Sequence, residues 1–218
     1  MRKFLNFLLF SIFSFFLPSK AQKLASILEW EHMLSGSFYS SPHDNLTPRI
    51  RYTAFPNVAP QMHYNFLDFF GLSMGLGLRN MGLILANDTM RIKRRNIAIH
   101  LPVTFRIGQL KKPQLAAVFG TSVNLMVFYK ETQKLQGQKL KTFTITSDKV
   151  YPINLSIHAG LQVWGLVVKL NYSLFHYLNR GFTDPSGSKP FKDTQSTLWW
   201  LSLSSSFMKY WKNPFKKE

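Results

Sequence analysis

The segment Asn96-Ile-Ala-Ile-His-Leu-Pro-Val-Thr-Phe-Arg-Ile-Gly108 sets an apolar residue at every odd position, from Ile97 to Ile107. The even positions carry Asn96, Ala98, His100, Pro102, Thr104, Arg106 and Gly108. Successive side chains on a strand point to opposite faces, so this period of two predicts a strand with one apolar and one hydrated face. The alternation recurs over residues 28–39, 58–66, 71–85, 115–129, 152–163, 164–175 and 196–208, which makes eight strands in all. Ile153, Leu155, Ile157, Leu161 and Val163 alternate with Asn154, Ser156, His158, Gly160 and Gln162. Residues 115–129 turn Phe119, Val123, Leu125 and Val127 outward, and His32 interrupts the apolar side of 28–39. Within 71–85 the pattern changes phase to Met81, Leu83 and Leu85, which predicts a β-bulge near Arg79-Asn80.

The N-terminus explains which solvent the apolar face meets. Arg2 and Lys3 precede an apolar run from Phe4 to Leu17, and Ser19-Lys20-Ala21 forms a small-x-small cleavage site before Gln22. Residues 1–21 therefore read as a secretory signal peptide, and 22–218 as the exported domain with a short basic tail over 209–218. The run is shorter than the roughly 20 residues a membrane helix needs, and Pro18 closes it. No other stretch approaches that length, so a membrane protein built from helices is excluded. Removing the signal takes away three cations and no acid, lowering the formal charge from +17 to +14. The exported chain stays strongly basic, but export and the lack of a recognised nucleic-acid motif argue against nucleic acid as the counter-charge. Anionic lipid and lipopolysaccharide are the expected partners. With no cysteine there is no disulfide framework and no thiolate metal site. The mean hydropathy of −0.07 conceals membrane strands, because alternation averages polar against apolar.

The connections between strands alternate in length. They are long over 40–57, short over 67–70, medium over 86–91, short over 108–113, long over 130–151, almost absent at Val163-Trp164 and long over 176–195. Outer-membrane barrels have short periplasmic turns and longer extracellular loops. The expected fold is an all-β, eight-stranded antiparallel up-and-down transmembrane β-barrel with both termini periplasmic. A soluble barrel of lipocalin type would place its apolar residues inside and its charges outside. Trp30, Tyr39, Tyr64, Tyr129, Trp164, Tyr172, Tyr177 and Trp199 fall near strand ends, where amphipathic rings sit at head-group depth.

The 96–108 run resembles the strand that Bacteroidota outer-membrane barrels of the PorT-like family usually write as Tyr-Leu-Glu-Ile-Pro-Leu-Leu-Leu-Lys-Tyr. Phe70-Gly-Leu-Ser-Met-Gly-Leu-Gly-Leu78 is similar to the same family's glycine-repeated strand start, and the signal ending Lys20-Ala21-Gln22 is similar to that group's habit. The resemblance implies an eight-stranded outer-membrane barrel, and some members of the family are thought to assist a secretion machine. His100 stands where the family usually has Glu.

The hydrated face collects Glu29, Glu31, His63, Arg79, His100, Arg106, His158 and Lys169. An eight-stranded barrel is just wide enough for side chains to fill it, and buried charges must be paired, so these residues are expected to form a structural lumen cluster. Glu29 and Glu31 share one level with Arg106, which suggests an ion pair there. The three histidines come from separate strands and lack the short spacing of zinc motifs, so neither a metal nor a cofactor is expected. A lipid A-modifying enzyme would need a nucleophile and base at the outer rim, where His43-Asp44, Ser40-Ser41 and His176 lie. The outer connections hold Arg49, Arg51, Arg91, Lys93, Lys130 and Lys134, then Lys139, Lys141, Lys149, Arg180, Lys189 and Lys192, against few acids. Three functions remain open: a non-enzymatic structural or interaction barrel, an accessory of a protein secretion complex, and a lipid A-modifying enzyme.

Overall fold

The structure, a computed structural model, describes residues 24–42, 44–110, 115–135 and 138–210, with the backbone alone over 207–210. The expected signal segment, His43 and the tail beyond Tyr210 lie outside the described residues. The strand segments are β1 (Leu24–Ser40), β2 (Thr47–Arg49), β3 (Arg51–Thr53), β4 (Asn57–Leu67), β5 (Phe70–Gly75) and β6 (Gly77–Ala86). They continue as β7 (Met90–Gln109), β8 (Leu115–Leu135), β9 (Gln138–Thr144), β10 (Ile153–Val163), β11 (Leu166–His176) and β12 (Gln195–Tyr210). β2, β3 and β4 together make the second barrel strand, β5 with β6 the third, and β9 with β10 the sixth. Eight antiparallel strands result, in up-and-down order. The ring closes because β1 pairs along its whole length with β12 on one side and with β4 and β3 on the other. Closure pairs the strand edges around the ring, and a chain surrounded by hydrocarbon cannot leave them open.

Side-chain placement separates the bilayer-spanning barrel from the lipocalin alternative. Leu161 and Val168 are 60% and 46% exposed, whereas Asn154 and Lys169, on the opposite faces of the same two strands, are 1% and 5% exposed. Leu28, Met62, Met74, Leu101, Leu170 and Leu203 continue the apolar exterior around the ring. At the turn end a girdle of rings runs across four barrel strands. Phe66 stacks on Phe70, Phe70 on Phe105 and Phe105 on Phe119, with centroids 5.4–6.0 Å apart. His32 does face outward, and there its Nδ1 lies 2.8 Å from the Tyr52 hydroxyl, so its polar atom is not left bare in the apolar band.

Several local expectations are corrected. The register between the third and fourth barrel strands is continuous from Gly77↔His100 to Ala86↔Arg91, so there is no bulge at Arg79-Asn80. Met81, Leu83 and Leu85 keep the inward phase of Arg79 and are buried. The interruption in this strand falls instead at Leu76, between β5 and β6. Pairing with β7 stops at Met74↔Val103 and resumes at Gly77↔His100, opposite Pro102, which has no N–H to give a ladder. The register shift belongs to β8: Ile97 pairs with Phe128 and Ala98 with Met126, leaving Val127 over. That extra residue turns Phe128 outward and Tyr129 inward, so Tyr129 is 1% exposed and cannot sit among head groups. Tyr177 is buried in the same cluster.

Three connections also differ from the expected reading, the first being 40–57, where β2 pairs with β6 and β3 with β1. Residues 130–151 are not one long loop, because β8 continues to Leu135 and β9 folds back on it from Leu135↔Gln138 to Tyr129↔Thr144. Trp164 does not begin a strand. With Gly165 it forms the two-residue turn between β10 and β11, and both have positive φ, 50° and 86°. That conformation follows the right-handed twist of the flanking strands, and glycine adopts it without a Cβ clash.

Candidate functional site

Charge in the interior is concentrated around two carboxylates of β1. Alternation places Glu29 and Glu31 on the inward face of that strand, and both are buried. Lys169 of β11 reaches across β12 to both of them, with Nζ 2.5 Å from Glu29 and 2.6 Å from Glu31. Arg79 of β6 donates to Glu31 at 2.7 Å. Gln61 of β4 and Ser204 of β12 each donate to Glu29, at 2.6 and 2.7 Å. The two acids thus tie together β1, β4, β6, β11 and β12, strands far apart in sequence. A charge in a dry interior is tolerated only when paired and hydrogen-bonded, and here each acid has a cation in contact.

The remaining residues expected in the lumen surround this pair. Arg106 is 1% exposed; its Nε donates to Gln162 at 3.0 Å and a terminal nitrogen donates to Ser73. His100 Nδ1 lies 2.9 Å from the Asn124 amide oxygen, which can only accept, so the ring nitrogen donates. His63 contacts Ser73 through Nδ1 and Asn65 through Nε2, at 2.8 and 2.6 Å. His158 of β10 meets Thr104 of β7 at 3.0 Å by passing over the intervening strand β8. It can do so because the residue beneath is Gly120, paired with both, and a Cβ there would lie 2.9 Å from the imidazole. Each histidine is engaged with a neutral neighbour, and among the described residues no three metal-ligating side chains come together.

Toward the loop end the interior becomes apolar, which the sequence reading missed. Met33, Met81, Leu83, Leu85, Leu198 and Trp200 form a buried cluster with Tyr129, Tyr177 and Leu178. Arg79 joins the charged layer to this apolar one, since its guanidinium lies 5.4 Å from the Trp200 ring centroid. Above it is a second ion-pair centre, also missed. Arg94 contacts Glu131 at 2.9 Å, Lys149 approaches the same carboxylate at 3.4 Å, and the Tyr129 hydroxyl donates to it. Burial raises the pKa of Glu131, but Arg94 and the hydrogen bonds more than offset this and hold it at about 2. The readable signal was phase: Ile92, Arg94 and Asn96 share the parity of His100, so Arg94 must point inward.

At the rim, Asp44 accepts from the Tyr39 hydroxyl and the Leu46 amide, at 2.7 and 3.2 Å. His176 Nδ1 accepts the Ser196 amide at 3.4 Å. Arg51, expected among the exposed loop cations, is 3% exposed and donates to the backbone and side-chain oxygens of Asn80.

The chain matches no protein-family model and no curated protein. Among solved structures it is similar to Ail, the attachment invasion locus protein of Yersinia pestis, at 14% identity and a TM-score of 0.36, over 85% of this chain and 99% of that one. Neisserial surface protein A gives 11% identity and a TM-score of 0.39, over 84% and 95% of the two chains. OprG of Pseudomonas aeruginosa gives 9% identity and 0.36, over 86% and 97%.

Proposed function

We propose that this chain is a non-enzymatic outer-membrane β-barrel with a sealed lumen, a structural or interaction protein that presents its basic loop end outside the cell. The observation that carries the reading is the inversion of the fold: an apolar exterior around a closed ring whose interior is filled by ion pairs below and by Trp200 and its neighbours above. Among the described residues the interior is occupied by side chains at both levels, as befits eight strands. Planar-bilayer recording with the purified full chain tests this, with no steady conductance expected. A large stable conductance overturns the sealed lumen. Heat-dependent gel migration reports separately whether the barrel has folded.

The lipid A-modifying reading gains no support from the rim, where Asp44 and His176 serve as hydrogen-bond acceptors for nearby chain. Unchanged lipid A mass spectra from a deletion strain are the expected result. The PorT-like reading, with a role beside a secretion complex, draws on one observation. The two segments that carry the resemblance, 70–78 and 96–108, are hydrogen-bonded neighbours and form one continuous patch of wall. Co-purification of secretion proteins in mild detergent is the test of that role.

A further inference from the structure

The outward face of the barrel changes character abruptly where β7, β8 and β9 rise past the apolar band. Ile97 pairs with Phe128, whose ring stacks on Phe143 with centroids 6.3 Å apart, and these mark the top of the band on this side. One row higher, Arg95 lies beside Lys130. In the next, Lys93 lies beside Thr132 and Lys141, and above that Arg91 lies beside Lys134 and Lys139. Seven cations and one threonine line a cleft of about 340 Å³ with no carboxylate among them. The acid of this hairpin, Glu131, faces the other way and is taken by Arg94.

Like charges side by side on neighbouring strands repel, so the cleft is costly unless an anion occupies it. Lys93 shows the strain: its pKa is lowered by partial burial and then by Arg95, Arg51 and Arg91. Arg91, Lys93 and Arg95 share the parity of the lipid-exposed Ile97 and Leu101, so the cleft lies on the outer face of the wall and not in the lumen. A ligand there has anionic groups against the cations and hydrocarbon against the band directly below. We infer that this outward-facing cleft between β7, β8 and β9 binds the phosphates of an anionic glycolipid headgroup in the outer leaflet beside the barrel.

The inference rests on the membrane-barrel reading above, and its test keeps the two apart. The full chain is reconstituted in phosphatidylcholine nanodiscs with diphosphoryl lipid A, and lipid retained through detergent extraction is counted by native mass spectrometry. The wild-type chain retains lipid A. K93Q/K130Q/K141Q weakens binding about a hundredfold, and K139Q/K141Q, confined to exposed β9, about thirtyfold. R180Q/K189Q/K192Q, on the last loop, binds like wild type. Inorganic pyrophosphate competes poorly, since it offers charge without hydrocarbon. Equal retention by wild type and both cleft variants overturns the site, and displacement by pyrophosphate as readily as by lipid A overturns the lipid assignment. Insertion into the bilayer without lipid retention defeats the site alone, whereas failure of the wild-type chain to insert defeats the barrel reading and the site with it.

Discussion

Replacing Lys169 with Met tests whether the charged interior holds the barrel closed. Lys169 touches both acids of β1, at 2.5 and 2.6 Å, from the far side of β12. In K169M, Glu31 keeps Arg79, but Glu29 loses its contacting ammonium, leaving Gln61 and Ser204 as hydrogen-bond donors. Stranding one partner of a buried pair costs about 3–5 kcal/mol, and here the upper half is expected because one cation served two carboxylates. Neutralising the stranded acid as well, in E29Q/K169M, should recover about half of that loss, since a buried neutral amide costs far less than an unpaired charge. The measurement is urea unfolding from lipid vesicles, followed by tryptophan fluorescence and by heat-dependent gel migration. A K169M cost below about 1 kcal/mol, the level of a surface ion pair, would refute the reasoning. So would a double variant no more stable than K169M.

Gly120→Ala should destabilise by about 1–3 kcal/mol, because the new methyl meets the Val103 carbonyl oxygen and the His158 ring; loss of the His158 to Thr104 hydrogen bond can be followed by imidazole nitrogen NMR. Trp200→Ala should cost about 3–5 kcal/mol by emptying the middle of the apolar layer, and Trp199→Ala, a neighbour facing outward, much less, as the same urea titration will show. Glu131 has a folded pKa near 2 against an ordinary value of 4.5. Its contribution is therefore complete above pH 4.5 and disappears as pH falls towards 2. Amide protection in the β8–β9 hairpin, taken relative to the intrinsic exchange rate at each pH, should fall across that interval in wild type, and in E131Q it should be low at both ends of it.

Alternation along the chain was enough to place all eight barrel strands, and it assigned the faces of Ile97 and Leu155 and of Glu29, Arg79 and Lys169, because each strand meets two different solvents and side-chain direction follows from parity alone. The same rule, applied strictly, would have sent Arg94 inward. It failed at Met81, Leu83 and Leu85, where apolar residues on the inward face look like a phase error until the dry layer around Trp200 is known. Pairing decided the rest. The break opposite Pro102, the extra residue at Val127 that buries Tyr129, and the folding of 130–144 into a hairpin all depend on what a neighbouring strand can donate or accept. Ion-pair partners lie in this second class too, since Lys169 and Glu29 are 140 residues apart. A strand's own residues specify which way they point, but only closure of the ring brings opposite walls within reach of each other.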